Sequence, residues 1–239
     1  IVAGNYNLDT DISITADSVS IITERYEALN GGNIYVDSDE LWLENEGSEE
    51  NENATYDSAT IYADKDVTLS SESGGIVGEI ALTVFGTLTL NGNFVVGGDP
   101  DHDNPLIIAN RMEANGKLVL RNDIGLAVDA SESFSFNGTT LDIEGYGGID
   151  ADGGVNITAD STTIITSVSS PIASTGDVYI DSDYLFLQDL MEEELHPLAI
   201  WAGISAYGDV TVISDDATII GRFGIRVAQW LQDTQGNVS

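Results

Sequence analysis

The chain has 239 residues, 41 of them Asp or Glu and only 7 Lys or Arg, a formal charge of -34. Nucleic acids and anionic lipid surfaces are held mainly by Lys and Arg, so both are excluded as partners, which leaves cations, neutral glycans and basic protein surfaces. Apolar residues make up 42%, enough to bury a core, and cysteine is absent, which removes disulfides and thiolate chemistry.

Along the chain one short pattern recurs: a turn residue, a polar residue, then apolar–polar–apolar. It begins as Thr10-Asp11-Ile12-Ser13-Ile14 and Gly32-Asn33-Ile34-Tyr35-Val36. It continues as Lys65-Asp66-Val67-Thr68-Leu69, Gly86-Thr87-Leu88-Thr89-Leu90 and Gly116-Lys117-Leu118-Val119-Leu120. Thr140-Leu141-Asp142-Ile143 is a less regular member, and Val119 interrupts the alternation. Late copies are Gly154-Val155-Asn156-Ile157, Gly176-Asp177-Val178-Tyr179-Ile180 and Gly208-Asp209-Val210-Thr211-Val212. Alternation with a period of two predicts strands with Ile, Val and Leu on one face, and Gly or Asn supplies each turn.

Ile12 to Ile34 spans 22 residues, Val67 to Leu88 spans 21, and Val155 to Val178 spans 23. A period of that size suits a coil of three short strands and three turns. The fold expected is an all-β, right-handed parallel β-helix (β-solenoid) of about nine coils, with the apolar residues stacked from coil to coil. One solenoid domain is expected over residues 1–239, with a C-terminal cap over about 228–239 that includes Trp230. No apolar run approaches the roughly 18 residues of a membrane-spanning helix.

Three stretches interrupt the period, each entering ten residues after a leading apolar residue. They are Glu44–Asn53 after Ile34, Gly98–Pro105 after Leu88 and Gln188–Pro197 after Val178. Equal phase in a solenoid means one corner of the cross-section, so three loops are expected along one edge. A longer self-similarity lies over the short one. Ile14-Thr15-Ala16-Asp17-Ser18 matches Ile157-Thr158-Ala159-Asp160-Ser161, and Asp66-Val67-Thr68 matches Asp209-Val210-Thr211. Residues 12–84 thus resemble residues 155–227, as duplication of a block of coils produces.

Gly148-Ile149-Asp150-Ala151-Asp152-Gly153-Gly154-Val155-Asn156-Ile157 and Gly203-Ile204-Ser205-Ala206-Tyr207-Gly208-Asp209-Val210-Thr211-Val212 share the form G-I-x-A-x-G-x-V-x-[IV]. This form resembles the β-helical repeats of secreted bacterial carbohydrate-binding-domain-containing proteins and similar adhesins. The resemblance implies a non-catalytic adhesive or carbohydrate-binding module at the cell surface or secreted, with a glycan or a host or cell-surface protein as partner. It is a structural signature and carries no binding residue. Two alternatives stand beside it: a rigid spacer or stalk segment, and a polysaccharide lyase or hydrolase of the pectinase-like β-helix type. For the last, Asp215-Asp216 resembles a paired-carboxylate motif, but the His and the Arg–Lys motifs of that group are missing. The reading is therefore that the chain is not an enzyme.

Sugar faces stack on exposed rings, so aromatics are the candidate ligand-binding residues. Trp42 and Phe186 are equivalent in the duplication, Tyr184 is the counterpart of Glu40, and Trp201 follows the third insertion. If Leu41, Leu43, Leu185 and Leu187 point inward, Trp42, Tyr184 and Phe186 point outward. The alternative is that the loops fold over these rings and bury them. No cofactor is called for by any motif. Asp99, Asp101 and Asp103 alternate as the oxygen ligands of calcium loops do, though Asn104 and Asn110 depart from the EF-hand pattern, and a solvated polar turn is the plainer reading. Asp37-Ser38-Asp39 and Asp181-Ser182-Asp183 occupy equivalent turns, where Asp and Ser side chains also satisfy turn amides.

Overall fold

A computed structural model describes residues 10–23, 27–45, 59–78, 80–97, 106–122, 125–167, 169–190, 202–221 and 223–227. Their 17 strands form one continuous sheet in which the strands pair in parallel. The chain winds this sheet into a β-solenoid with three faces, here A, B and C in chain order within each coil.

The register defines the interior. On face A the stacked column is Ile12, Ile34, Val67, Leu88, Met112, Phe134, Val155, Val178 and Val210. On face B it is Val19, Leu41, Gly74, Phe94, Leu118, Leu141, Thr162, Leu185 and Ala217. On face C it is Leu29, Ile61, Leu82, Ile107, Val128, Ile149, Ile172, Ile204 and Ile225. Each face thus carries nine rungs, separated by eight full turns, close to the expected coil number. From the second rung to the eighth these columns are buried, and they merge into a single apolar core.

Two expectations need correction. Leu118 is not on face A; it stacks between Phe94 and Leu141 on face B. The face A positions of those coils are Met112 and Phe134, which complete the column between Leu88 and Val155. The short spacing from Leu141 to Val155 is therefore the step from face B of one coil to face A of the next. The coil from Leu88 to Met112 is 24 residues, against 21 to 23 for coils without an insertion, so residues 98–105 add much less length than expected. The error has a physical origin. Gly116 starts a strand after a tight corner, as the Gly before a face A strand does, but its φ of +110° belongs to the corner between faces A and B. A turn glycine followed by apolar–polar–apolar marks a strand start on either face.

The corners are held by side chains bonded from coil to coil. Between faces C and A, Asp11 accepts from the Asn33 amide (2.9 Å), Asn33 from the Asp66 amide (3.3 Å) and Asp66 from the Thr87 amide (2.7 Å). Asp177 and the Asp209 amide repeat the arrangement at 2.8 Å. Between faces A and B, Asn91, Asn115 and Asn137 are in register, and Asn115 Nδ2 donates to Asn91 Oδ1 at 2.9 Å. Each such bond satisfies polar groups that the strand ladder leaves over.

The third corner, between faces B and C, is where the insertions enter. β4 (Ile34–Asn45) ends there and β5 (Ala59–Ala63) resumes beyond it. β7 (Ile80–Gly97) ends there before β8 (Ile107–Asn122), and β13 (Asp177–Asp189) before β14 (Ala202–Ala206). All three departures are from the end of a face B strand, so they share an edge of the solenoid. Of the three insertions only Glu44, Asn45, Gln188, Asp189 and Leu190 are described; the rest lie outside the described residues, as does the expected cap over 228–239.

Candidate functional site

Outward positions on face B alternate with the buried column, so the strand period alone decides which side chains meet solvent. One outward column reads Ser20, Trp42, Gly75, Val95, Val119, Asp142, Thr163, Phe186 and Thr218. Trp42 and Phe186 are therefore on the same line of the same face. They are six coils apart, about 29 Å at ~4.8 Å per coil. Tyr184 lies two residues before Phe186 on the same strand and is exposed, whereas Phe186 is half-buried. The structure brings Tyr184 and Phe186 together and separates them from Trp42. Trp201, Asp99, Asp101 and Asp103 lie outside the described residues.

Trp42 is 43% exposed despite its size. Its ring lies over Gly75 of the next coil: a Cβ at Gly75 would fall 2.4 Å from Trp42 Cε3. On the inner side, a Cβ at Gly74 would fall 2.4 Å from a ring carbon of Phe94. Gly74-Gly75 is thus thin enough to have an aromatic ring packed on each side, Phe94 inside and Trp42 outside. The indole Nε1 donates to the Glu44 carboxylate at 2.8 Å, which fixes the ring's direction along the sheet. Beyond Gly75 the column continues with Val95, 52% exposed, and Val119.

The result is an apolar stripe four coils long, Trp42–Gly75–Val95–Val119. Polar groups flank it. On one side stand Asn93 and Lys117, in register; on the other stand Glu44 and Arg121. Arg121 is held by Asp142 at 2.6 Å and approaches Glu144 at 3.8 Å. The sequence reading missed Gly75, Val95 and Val119. The signals available were the Gly74-Gly75 pair and the break in alternation at Val119, whose side chain belongs to the stripe.

The second aromatic place, Tyr184–Phe186, has Thr163 and Thr218 above and below Phe186. Asp216 is in register with Tyr184 and, like Asp215, is exposed on the last coil. Among the described residues no group of three or more His, Asp or Glu is arranged to hold a metal ion, and no helix is long and apolar enough to cross a membrane. His102 and His196 lie outside the described residues.

Among the described residues, face C carries the two carboxylates whose pKa is raised. Asp129 and Asp150 stack in register, between Ile108 above and Ala173 below, with Asp152 at the adjoining corner. Burial, and then Asp152, raises the Asp129 pKa above the usual 3.8; burial, then Asp129 and Asp152, raises that of Asp150. A folded-state pKa above the unfolded one means the native state binds more protons in that window. Stability is then lower above the raised pKa and recovers as pH falls through it toward 3.8. Asp11 works in the opposite sense: its hydrogen bonds with Asn33 lower its pKa, so its contribution is lost on acidification. Asp150→Asn is expected to stabilise the protein at neutral pH by about a few tenths of a kcal/mol, a small effect because the site is solvent-screened, and so to raise the melting temperature. It should also shrink the gain in melting temperature between pH 7 and about pH 5. Thermal melts of both proteins at the two pH values check this, and an equal gain in the variant would remove the assignment.

In comparisons with protein-family models, with curated proteins and with solved structures, the chain gives no match.

Proposed function

We propose that the protein is a non-catalytic carbohydrate-binding or adhesive module, secreted or at the cell surface, that engages neutral glycan through the outer surface of face B. The observation that carries this reading is the Trp42–Gly75–Val95–Val119 stripe. A large ring kept 43% exposed, seated against a glycine and continued by exposed Val95 and half-buried Val119, offers an apolar track. Sugar rings present C–H faces to such a track and hydroxyls to its polar margins, here Asn93, Lys117 and Glu44. The second aromatic pair, Tyr184–Phe186, lies on the same face about 29 Å along the axis, so one extended ligand or one decorated surface can meet both. Each contact is shallow, and useful avidity comes from engaging both at once. The charge of -34 favours neutral over acidic glycans.

A glycan array and titration with soluble neutral oligosaccharide test the reading. Trp42→Ala is expected to weaken binding about tenfold, equivalent to ~1.4 kcal/mol. Gly75→Leu should do the same without removing the ring, because its side chain displaces the indole from its seat. Phe186→Ala should reduce binding to immobilised glycan more than to short soluble chains. No binding to any glycan by the parent protein would instead favour the spacer reading, for which the uninterrupted core column is the relevant feature. Release of products from a polysaccharide would favour an enzyme.

A further inference from the structure

The corner between faces A and B holds a groove that the stripe does not use. It has a volume of about 640 Å³ and spans the second, third and fourth coils, with coils stacked on both sides. It lies across face B from the corner where the insertions enter. Its floor follows Ser38, Ser71 and Gly92, which are in register. Its rim carries three carboxylates, Asp37, Asp39 and Glu72, and no Lys or Arg lines it. Two amides complete the rim, and their nitrogens are already committed. Asn91 Nδ2 donates to Ser70 Oγ at 3.4 Å, and Asn93 Nδ2 to the Glu72 carbonyl at 2.8 Å. What the rim offers a ligand is therefore mostly acceptors.

A second observation comes from the floor. Ser38 is only 7% exposed, and its Oγ makes no hydrogen bond among the described residues. Its relatives in the fold do bond. Ser71, one coil on, donates to the Asp39 carbonyl at 3.1 Å, and Ser182, its counterpart in the near-copy, donates to the Tyr184 carbonyl at 2.8 Å. A buried hydroxyl left unbonded costs stability, and a group from outside the chain can complete it. We infer that the groove is a subsite for a sugar unit bearing a free primary amine, with the ammonium among Asp37, Asp39 and Glu72 and a ligand hydroxyl at Ser38. An ammonium has three N–H donors and no acceptor, which matches an acceptor-rich rim. A metal ion matches it less well, because among the described residues no three carboxylates are arranged to hold one. The inference rests on the glycan reading of face B and adds a charge to it. Asn93 belongs both to this rim and to the margin of the stripe, two residues before Val95 on β7, so neighbouring units of one chain meet the groove and the stripe. The charge of -34 that disfavours acidic glycans attracts an amine-bearing one.

Titration with glucosamine oligomers and with N-acetylglucosamine oligomers of the same length tests this, because acetylation removes the amine's charge and leaves the chain otherwise alike. At mildly acidic pH and low salt the amine form is expected to bind about tenfold more tightly, and the difference should shrink as salt rises. Asp39→Asn/Glu72→Gln should bring the amine form to the affinity of the acetylated form. Asp129→Asn/Asp150→Asn removes the same charge from face C and should leave the difference intact. Ser38→Ala should weaken binding of the amine form without lowering the melting temperature of the free protein, since no bond within the chain is lost. Equal affinity for the two oligomers, or a difference that survives Asp39→Asn/Glu72→Gln, overturns the inference and leaves the glycan reading standing. A difference lost equally in the face C variant does the same. A lysine oligomer of equal charge that binds as tightly overturns the assignment to a sugar. Binding of neither sugar oligomer removes the glycan reading and the inference with it.

Discussion

Gly92→Ala is expected to destabilise the protein by about 3 kcal/mol or more, among the largest effects available to a single methyl group. Two costs combine. Gly92 has a φ of +116°, a conformation that costs an L-residue roughly 1–2 kcal/mol. A Cβ there would also fall 1.8 Å from the carbonyl oxygen of Ser71, which belongs to the backbone of the coil beneath and has no flexible end to move aside. The corner cannot open without breaking the Asn91–Asn115 bond and the ladder on both sides. Gly97 is the built-in control, since a Cβ added there meets nothing within 4 Å. Gly97→Ala should be neutral or stabilising by a few tenths of a kcal/mol. Urea unfolding of the two variants beside the parent measures the contrast, and equal effects would show that corner geometry is not the determinant.

Phe134→Ala is expected to cost about 3–5 kcal/mol. Phe134 is one of the three phenylalanines among the largest fully buried side chains, stacked between Met112 and Val155. Removing its ring opens a cavity that two aliphatic neighbours cannot fill. Because each coil touches only the coils beside it, the loss falls on one interface near the middle of the stack. Unfolding should then lose its single cooperative transition, with the two halves melting separately. Ile225→Ala, on the half-exposed last coil, should cost less than about 1 kcal/mol. Denaturation followed by circular dichroism and calorimetry distinguishes these outcomes.

How far the sequence revealed the fold depends on what alternation can and cannot encode. Apolar–polar–apolar triplets identified strands and their inward faces, and the equal phase of three insertions identified the corner where β4, β7 and β13 end. Alternation carries no label for the face of the triangle. Where the corner before face A lacks glycine, as at Asn110-Arg111 and Glu132-Ser133, no turn residue marks the strands of Met112 and Phe134, and the glycine-led triplet of Leu118 fits the pattern in their place. The candidate site was legible only in part. The equivalence of Trp42 and Phe186 followed from the duplication, and their outward direction from Leu41, Leu43, Leu185 and Leu187, all of which are buried. That Gly75, Val95 and Val119 continue the Trp42 column depends on cross-coil register, which spacing along one chain does not contain. The distance between the two aromatic places required the same information.

The bonds that join the coils also have a direction. In a parallel solenoid they run roughly along the rod, between strands that lie across it. A load applied between the two ends therefore pulls on the bonds of one rung at a time, rather than shearing many together. The outermost coil would detach first, freeing a chain segment of 21 to 23 residues where no insertion is present, 33 residues between Ile34 and Val67, and 32 between Val178 and Val210. Under tension such a rod yields by stepwise unwinding, and the two longest segments give its lower and upper parts the greatest reserve of slack.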